Sequence, residues 1–293
     1  MEQKTPKYPV YIVSKGRAES RLTSKEFERI GIPYHIVIDE KEYSEYAAVI
    51  DPKKILIMPE KYREEYDTFD DIGLSKSVGP GCARNFCWDH STSLGAERHW
   101  VFDDNVRTIY RLINNEKIRV SDGTCFKIME DFCDRYTNIA IAGMNYQMFI
   151  IRKTKYPPFV LNTRIYSMLL MNNSIPYRWR GRYNEDTDIS LRALKDGWCT
   201  CQFNAFIGDK IWTQQVKGGN TEQFYSKEGT YPKSEMQVRM HPDVSKLVWK
   251  FNRWHHHVDY RPFKNNKLIR KKDVVIPEGV NNYGMKLIKK GDL

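Results

Sequence analysis

Two acidic clusters define the chemistry open to this chain. Asp103-Asp104-Asn105 closes the apolar run Trp100-Val101-Phe102, and Asn184-Glu185-Asp186-Thr187-Asp188 opens a helical pattern much later. Hard oxygen ligands at the end of a buried strand suit Mg²⁺ or Mn²⁺ holding a diphosphate. On a strand Asp103 and Asn105 share a side and Asp104 faces away. At a strand end that alternation relaxes, and two of the three could converge on one ion; a plain polar strand exit is the alternative. Acids in a helix's first turn complement its dipole, worth ~0.3–1 kcal/mol each. Glu185, Asp186 and Asp188 exceed what capping requires, and their mutual repulsion raises at least one pKa, which suits a general base. Metal, diphosphate and base together suggest transfer of a group from an activated nucleotide.

The elements that must position these acids alternate between strand and helix. Tyr8 to Ser14 reads as a first buried strand ending at Lys15-Gly16-Arg17, followed by a helix to about Ile30, stopped by Gly31 and Pro33. Tyr34 to Asp39 and Lys54 to Met58 read as strands two and three. Gly79-Pro80-Gly81 opens a helix carrying Arg84 and Asn85, and the next strand delivers Asp103 and Asp104. Beyond it, Cys125 to Tyr136 reads as helix, Asn138 to Ala142 as strand, and Tyr146 to Met171 as β-rich. Residues 185–197 read as a helix with Asn184 as N-cap and Gly197 as stop, and Trp198 to Ile207 as strand. Gly218 to Asn220 and Tyr225 to Pro232 read as loops. This order predicts an α/β fold, a Rossmann-like, mainly parallel sheet flanked by helices. We expect a catalytic domain over 1–210 and a C-terminal extension over 211–293.

In such sheets ligands bind beyond the carboxyl ends of the strands. Ser14 to Arg17, Asp39 and Asp103 to Asn105 fall there. Asp39 could accept from a base or ribose, or simply start a turn. Arg84 and Asn85 could reach a nucleotide from the helix start, or be ordinary surface polars.

Net charge is +10, and its placement matters more than its size. The last 48 residues hold twelve Lys and Arg against four Asp and Glu, interleaved with Trp249, Phe251, Trp254, His255, His256, His257, Tyr260 and Phe263. Basic side chains neutralise phosphates and aromatic faces stack on bases. Lys246, Lys250, Arg253, Trp254, Arg261, Lys271 and Lys272 are therefore candidate DNA contacts; a solubilising tail with a small aromatic mini-core is the alternative. The six cysteines form no CxxC pair and read as reduced thiols. No apolar run reaches the ~20 residues that span a bilayer, so no membrane partner is expected, and Met1 to Pro6 lacks the apolar stretch of a signal peptide.

Strand-Ser-Lys-Gly-Arg, Asp39, Gly-x-x-x-Ala-Arg-Asn, apolar-Asp-Asp-Asn and Asn-Glu-Asp-x-Asp, in that order, resemble A-type nucleotide-sugar glycosyltransferases. More narrowly, the chain resembles bacteriophage DNA-base glycosyltransferases akin to the enzyme that glucosylates hydroxymethyluracil to make base J. The resemblance implies that Ser14, Arg17 and Asp39 cradle the nucleoside of a UDP-sugar, with Arg84 and Asn85 approaching the same nucleotide. Asp103 would sit near the ribose, and Asp104 would hold Mn²⁺ or Mg²⁺ on the diphosphate, with His241 as a late metal-binding histidine. Glu185 or Asp186 would be the base, and Asn162, Arg164 and Asp188 would touch donor sugar or acceptor. Asn105 departs from a stricter Asp-x-Asp motif. The implied acceptor is a hydroxymethylated pyrimidine, 5-hydroxymethylcytosine favoured, in double-stranded DNA within the cytoplasm of an infected host cell. A polysaccharide or protein acceptor, or a non-catalytic basic DNA-binding protein, are the competing readings.

Overall fold

In β1 (Val10–Val13), Val10 and Ile12 enter one apolar cluster, while Tyr11 and Val13 enter another on the opposite face. A strand buried on both sides needs helices on both sides, and the computed structural model has them. It describes residues 4–70, 78–151, 155–211, 229–275 and 279. Helices α1 (Leu22–Ile30) and α5 (Thr124–Cys133) cover the Ile12 face with Phe27, Phe126, Met129 and Phe132. Helices α4 (Gly81–Ser93) and α6 (Glu185–Lys195) cover the Tyr11 face with Cys87, Trp88, Ile189 and Ala193. All six cysteines are free and buried.

The sheet begins with a parallel half, β3 (Ile55–Ile57), β2 (His35–Ile38), β1 and β4 (Arg98–Asp103). Next comes β9 (Met168–Asn172), antiparallel to both β4 and β7 (Ile139–Tyr146). Strand β10 (Cys199–Lys210) runs parallel to β7 and antiparallel to β5 (Val106–Ile113), which turns into β6 (Glu116–Arg119). Strand β8 (Phe159–Leu161) pairs with β10. Because β9 reverses twice, the carboxyl ends of β1, β2, β4, β7 and β10 all reach the same edge.

The α/β expectation, a sheet flanked by helices, holds. The hairpin β5–β6 has no counterpart in the sequence reading, although its turn, Asn114-Asn115, sits at φ +49° and +66° as two-residue hairpins require. Two local expectations need correction. Asn184 precedes α6 in a left-handed conformation, and its side chain donates to the Lys233 carbonyl instead of capping the helix. Pro232 does not break structure; it opens α7 (Tyr231–Met240), where its missing N–H costs nothing. Gly218 to Asn220 lie outside the described residues.

After α7 the chain forms a separate hairpin, β11 (Ser245–Lys250) and β12 (Arg253–Val258), turned at Phe251-Asn252. Val244, Val258, Tyr260 and Phe263 pack on Leu191 and Leu194 of α6. Asn162 Nδ2 donates to the carbonyls of Phe263 and Asn266, which pins the extension against the sheet.

Candidate active site

At the carboxyl edge the turn after β4 is clamped by the start of α1. Thr23 Oγ1 donates to the Asp103 carbonyl (2.6 Å) and accepts from Val106 N (2.9 Å), while Thr23 N donates to the Asp104 carbonyl (3.2 Å). The clamp ends the strand there, so both aspartates reach one cavity of about 410 Å³ despite strand alternation. Ser14, Arg17, Asp39, Arg84, Asp103, Asp104, Glu185 and Asp186 all line it.

At the β1–β2 end, Asp104 accepts from Ser14 Oγ (2.7 Å) and pairs with Arg17, and Asp39 pairs with Arg63. Burial raises the Asp104 pKa more than Arg17 and Ser14 lower it. At the centre, Asp103 takes Arg84 Nη2 at 2.9 Å, Lys210 Nζ at 2.7 Å and Ser167 Oγ at 2.6 Å. Burial opposes its charge, yet Lys210 and Arg84 prevail and hold the carboxyl well below the usual range. Arg84 reaches this point because α4 begins tightly: Gly79 has φ +82°, and a Cβ on Gly81 would fall 1.8 Å from Tyr66 Oη.

The third part of the wall is the start of α6. Arg84 Nη1 lies 2.9 Å from Glu185 Oε1, close enough for an ion pair but outside hydrogen-bond geometry. Burial pushes the Glu185 carboxyl up to about 7, with Arg84 opposing and Asp186 and Asp103 reinforcing. Asp186 is also raised by burial, against Arg84. It is less buried than Glu185, and the only hydrogen bond to its carboxylate among the described residues is from Thr187 N to Oδ1 (2.8 Å). Its second oxygen is left for the cavity.

Four residues of the sequence reading lie off this wall, and a fifth borders it. Asn85 is tied to both polar groups of the Trp179 backbone. Asp188, two residues beyond Asp186, is turned by about 200° around a helix, and is buried against Arg180, Arg192 and His241. His241 places Nε2 2.9 Å from Asp188 Oδ1 and Nδ1 3.0 Å from Lys195 Nζ, so it does not join the aspartates as a metal ligand. Asn162 anchors the extension, as described. Arg164 lines a smaller adjoining recess.

Other residues enter that the sequence reading did not single out: Lys210, Lys233, Arg63, Arg182, Ser167, Tyr146 and Tyr166. Lys210 ends β10 on the same edge as Asp103, a position readable only once the strand order is known. Of the histidine run it is His256 that faces the cavity, its pKa lowered to about 4 by burial and then by Lys233. Among the described residues no three His, Cys, Asp or Glu are grouped to hold an ion. An octahedral cation that shares diphosphate oxygens needs only one or two carboxylates. Asp104 and the neighbouring Asn105 Oδ1, buried without a hydrogen-bond partner among the described residues, fit such an ion.

The extension supplies the cavity's outer lip. On one face of the hairpin, Leu247, Trp249, Trp254 and His256 align, so the face that ends at the cavity carries exposed tryptophans outward. Trp254 meets both Trp249 and Tyr231 edge-on. Lys246, Lys250 and Arg253 occupy the opposite face, with Lys250 directly across from Arg253, and Arg261, farther along, is exposed and paired with Asp259. Lys271 and Lys272 sit elsewhere: Lys271 N bonds the Arg135 carbonyl near the amino-terminal start of β7, at the sheet edge away from the cavity.

The family pattern that matches this α/β chain makes it an enzyme, a glycosyltransferase. More particularly, the chain belongs to the TET-Associated Glycosyltransferase family, whose pattern matches residues 8–219. No curated protein matches it in sequence. Among solved structures it is similar to a Desulfovibrio desulfuricans protein assigned as a nucleotide-diphospho-sugar transferase, at 9% identity and a TM-score of 0.37 over 81% of this chain and 96% of that one. It is also similar to the mannose-1-phosphate geranyltransferase of Thermus thermophilus, at 10% identity and 0.30 over 69% and 58%. Superpositions this loose identify neither donor nor acceptor. Among the described residues no helix is long and apolar enough to cross a membrane.

Proposed function

We propose that this glycosyltransferase moves a sugar from a UDP-sugar to the hydroxymethyl group of a modified pyrimidine, 5-hydroxymethylcytosine first, in phage DNA within the infected cell. The observation that supports this most is the meeting of the two acidic clusters across one cavity of about 410 Å³, within the ~300–1,000 Å³ range of small-molecule sites. Ser14, Arg17 and Asp39 would hold the nucleoside, with Asp103 beside the ribose. Arg84, Lys210 and Lys233 would face the diphosphate. Asp104 and Asn105 would hold Mg²⁺ or Mn²⁺, which when bound would neutralise charge growing on the departing diphosphate.

Asp186 is the better base. Glu185 is spent against Arg84, whereas Asp186 keeps an oxygen toward the cavity. The hydroxymethyl oxygen forms its bond to the anomeric carbon as the bond from that carbon to the diphosphate oxygen breaks. UDP leaves with the electron pair, and the hydroxyl proton passes to Asp186. Attack from the face opposite the diphosphate inverts the anomeric centre.

A DNA acceptor is supported by the hairpin. Lys250 directly across from Arg253 is a like-charge pair that costs stability in isolation, and a polyanion relieves it. Trp249 and Trp254, 58% and 38% exposed, offer stacking faces beside the cavity mouth. The family's TET association points the same way. The test is to incubate the protein with hydroxymethylated and plain duplexes and a panel of UDP-sugars, then weigh the digested nucleosides. A pentose or hexose added only to hydroxymethylpyrimidine is expected; no adduct with any donor refutes the proposal.

A further inference from the structure

Beside the main cavity, and sharing its Tyr146 and Tyr166 walls, is a recess of about 140 Å³ also lined by Asn145, Phe149, Arg164 and Gln202. We infer that this recess is the subsite for the acceptor's pyrimidine ring, extruded from the duplex, with its hydroxymethyl group directed past Tyr166 to Asp186. The inference rests on the proposed DNA-base acceptor and adds where that base sits.

Size comes first. A cavity of about 150 Å³ accommodates a six-membered ring, and this one is 140 Å³. Its walls are flat and aromatic. Tyr146 stacks on Phe149 with centroids 5.5 Å apart, Tyr166 lies 6.0 Å from Tyr146, and Phe149 is 46% exposed, an open face for a ring. Unspent polar groups rim it. The Arg164 guanidinium lies 5.3 Å over Tyr166 and makes no hydrogen bond or ion pair among the described residues. Gln202 donates its amide N–H to the Arg164 carbonyl, and its amide oxygen accepts nothing among those residues. Stacking faces with donors and an acceptor at the edge are how proteins read an unstacked base.

Position comes second. Asp39 ends β2 and Tyr146 ends β7, four strands along the edge in the order β2-β1-β4-β9-β7. At ~4.8 Å per strand that is roughly 19 Å, so donor and acceptor follow one another along the edge without competing. Asp186 lines the main cavity together with Tyr146 and Tyr166, the two residues that both compartments share, which puts the base near their junction.

The experiment is steady-state transfer to a hydroxymethylated duplex by the full chain and by Phe149→Ala, Gln202→Leu and Arg164→Met, with melting temperatures to confirm folding. Phe149→Ala is expected to raise the acceptor KM by roughly 5- to 100-fold, the effect of losing one stacking partner, and Gln202→Leu and Arg164→Met to raise it by removing polar contacts to the base edge, while donor KM stays unchanged. In the wild type, placing the modified base in a mismatch should lower KM, because extrusion then costs less. Raised donor KM with unchanged acceptor KM would make the recess a sugar subsite and overturn the inference. If the wild type glycosylates no hydroxymethylated DNA, the proposed function fails; if it does and all three folded variants keep their acceptor KM, the recess assignment alone fails.

Discussion

Asp186 and Asp188 stand two residues apart on α6, and replacing each by asparagine should give opposite phenotypes. Asp188 is fully buried, with Arg192 at 2.8 Å, His241 at 2.9 Å and Arg180 at 3.1 Å. Burial disfavours its charge, but His241 and the two arginines outweigh that and hold its pKa below the ordinary value. Removing one partner from a buried ion pair costs about 3–5 kcal/mol. The lower end applies, because the Arg180 side chain is 29% exposed and can turn to solvent. A loss of about 3 kcal/mol lowers Tm by roughly 6–12 °C at ~2–4 °C per kcal/mol. Asp186 is the reverse case. Burial raises its pKa, so its charge is a cost to the fold. Asp186→Asn should leave Tm unchanged or higher while cutting kcat about 10²–10⁴-fold, the range for losing a general base. The assay is a thermal melt of both variants beside single-turnover transfer. Unchanged Tm in Asp188→Asn, or substantial kcat in folded Asp186→Asn, would refute the division of roles.

Four further outcomes follow from the same geometry. Transfer should rise with pH as Asp186, which burial lifts above the ordinary carboxylate range, gives up its proton beside Glu185, itself raised to about 7, and in Glu185→Gln the rise should move to lower pH, because a repelling neighbour is gone; an unmoved profile counts against that repulsion. Since the folded Glu185 pKa lies above its ordinary 4.5, the native state binds more protons than the unfolded chain between 4.5 and about 7, so stability should fall as pH rises through that window and fall less in Glu185→Gln, as denaturant titrations would show. Lys250→Ala with Arg253→Ala should weaken DNA binding and reduce the slope of log affinity against log salt by ~1–2, more than Lys271→Ala with Lys272→Ala, which lie at the other sheet edge. EDTA should suppress transfer and Mn²⁺ or Mg²⁺ restore it, with Asp104→Asn blunting the rescue; full activity in EDTA would remove the ion from the reaction.

What the sequence could convey was set by range. The parallel half of the sheet was legible because Val10–Val13, His35–Ile38 and Trp100–Phe102 are short apolar runs separated by helical stretches, a pattern local to each segment. Strand β9 running backwards between β4 and β7 has no local signature, since a strand buried on both faces reads the same in either direction. The acids were legible by type, but not their partners: Lys210 meets Asp103 across 107 residues, and only strand order brings them together. The separation of Asp188 from Asp186 was within reach, because helical geometry alone turns them apart. Choosing His256 over His241 was not, because that depends on how the hairpin folds back over α6.

Acidic motifs alone suggest a site that repels a diphosphate unless metal rescues it, and the assembled cavity reverses that expectation. Its wall gathers Lys15, Arg17, Arg63, Arg84, Arg182, Lys210 and Lys233 against Asp39, Asp103, Asp104, Glu185 and Asp186. The surplus is cationic, and it grows if Glu185 keeps its proton near neutral pH. Such a wall attracts an anionic donor before any ion arrives, and it favours the departing diphosphate as negative charge builds there. The acids are then best understood as fixing cations in place: Asp103 aims Lys210 and Arg84, Asp104 aims Arg17, and Glu185 holds Arg84 from its other side. Asp186 alone among those on the β4 and α6 ends has no cation within hydrogen-bond reach among the described residues, and that is the condition a proton acceptor must meet.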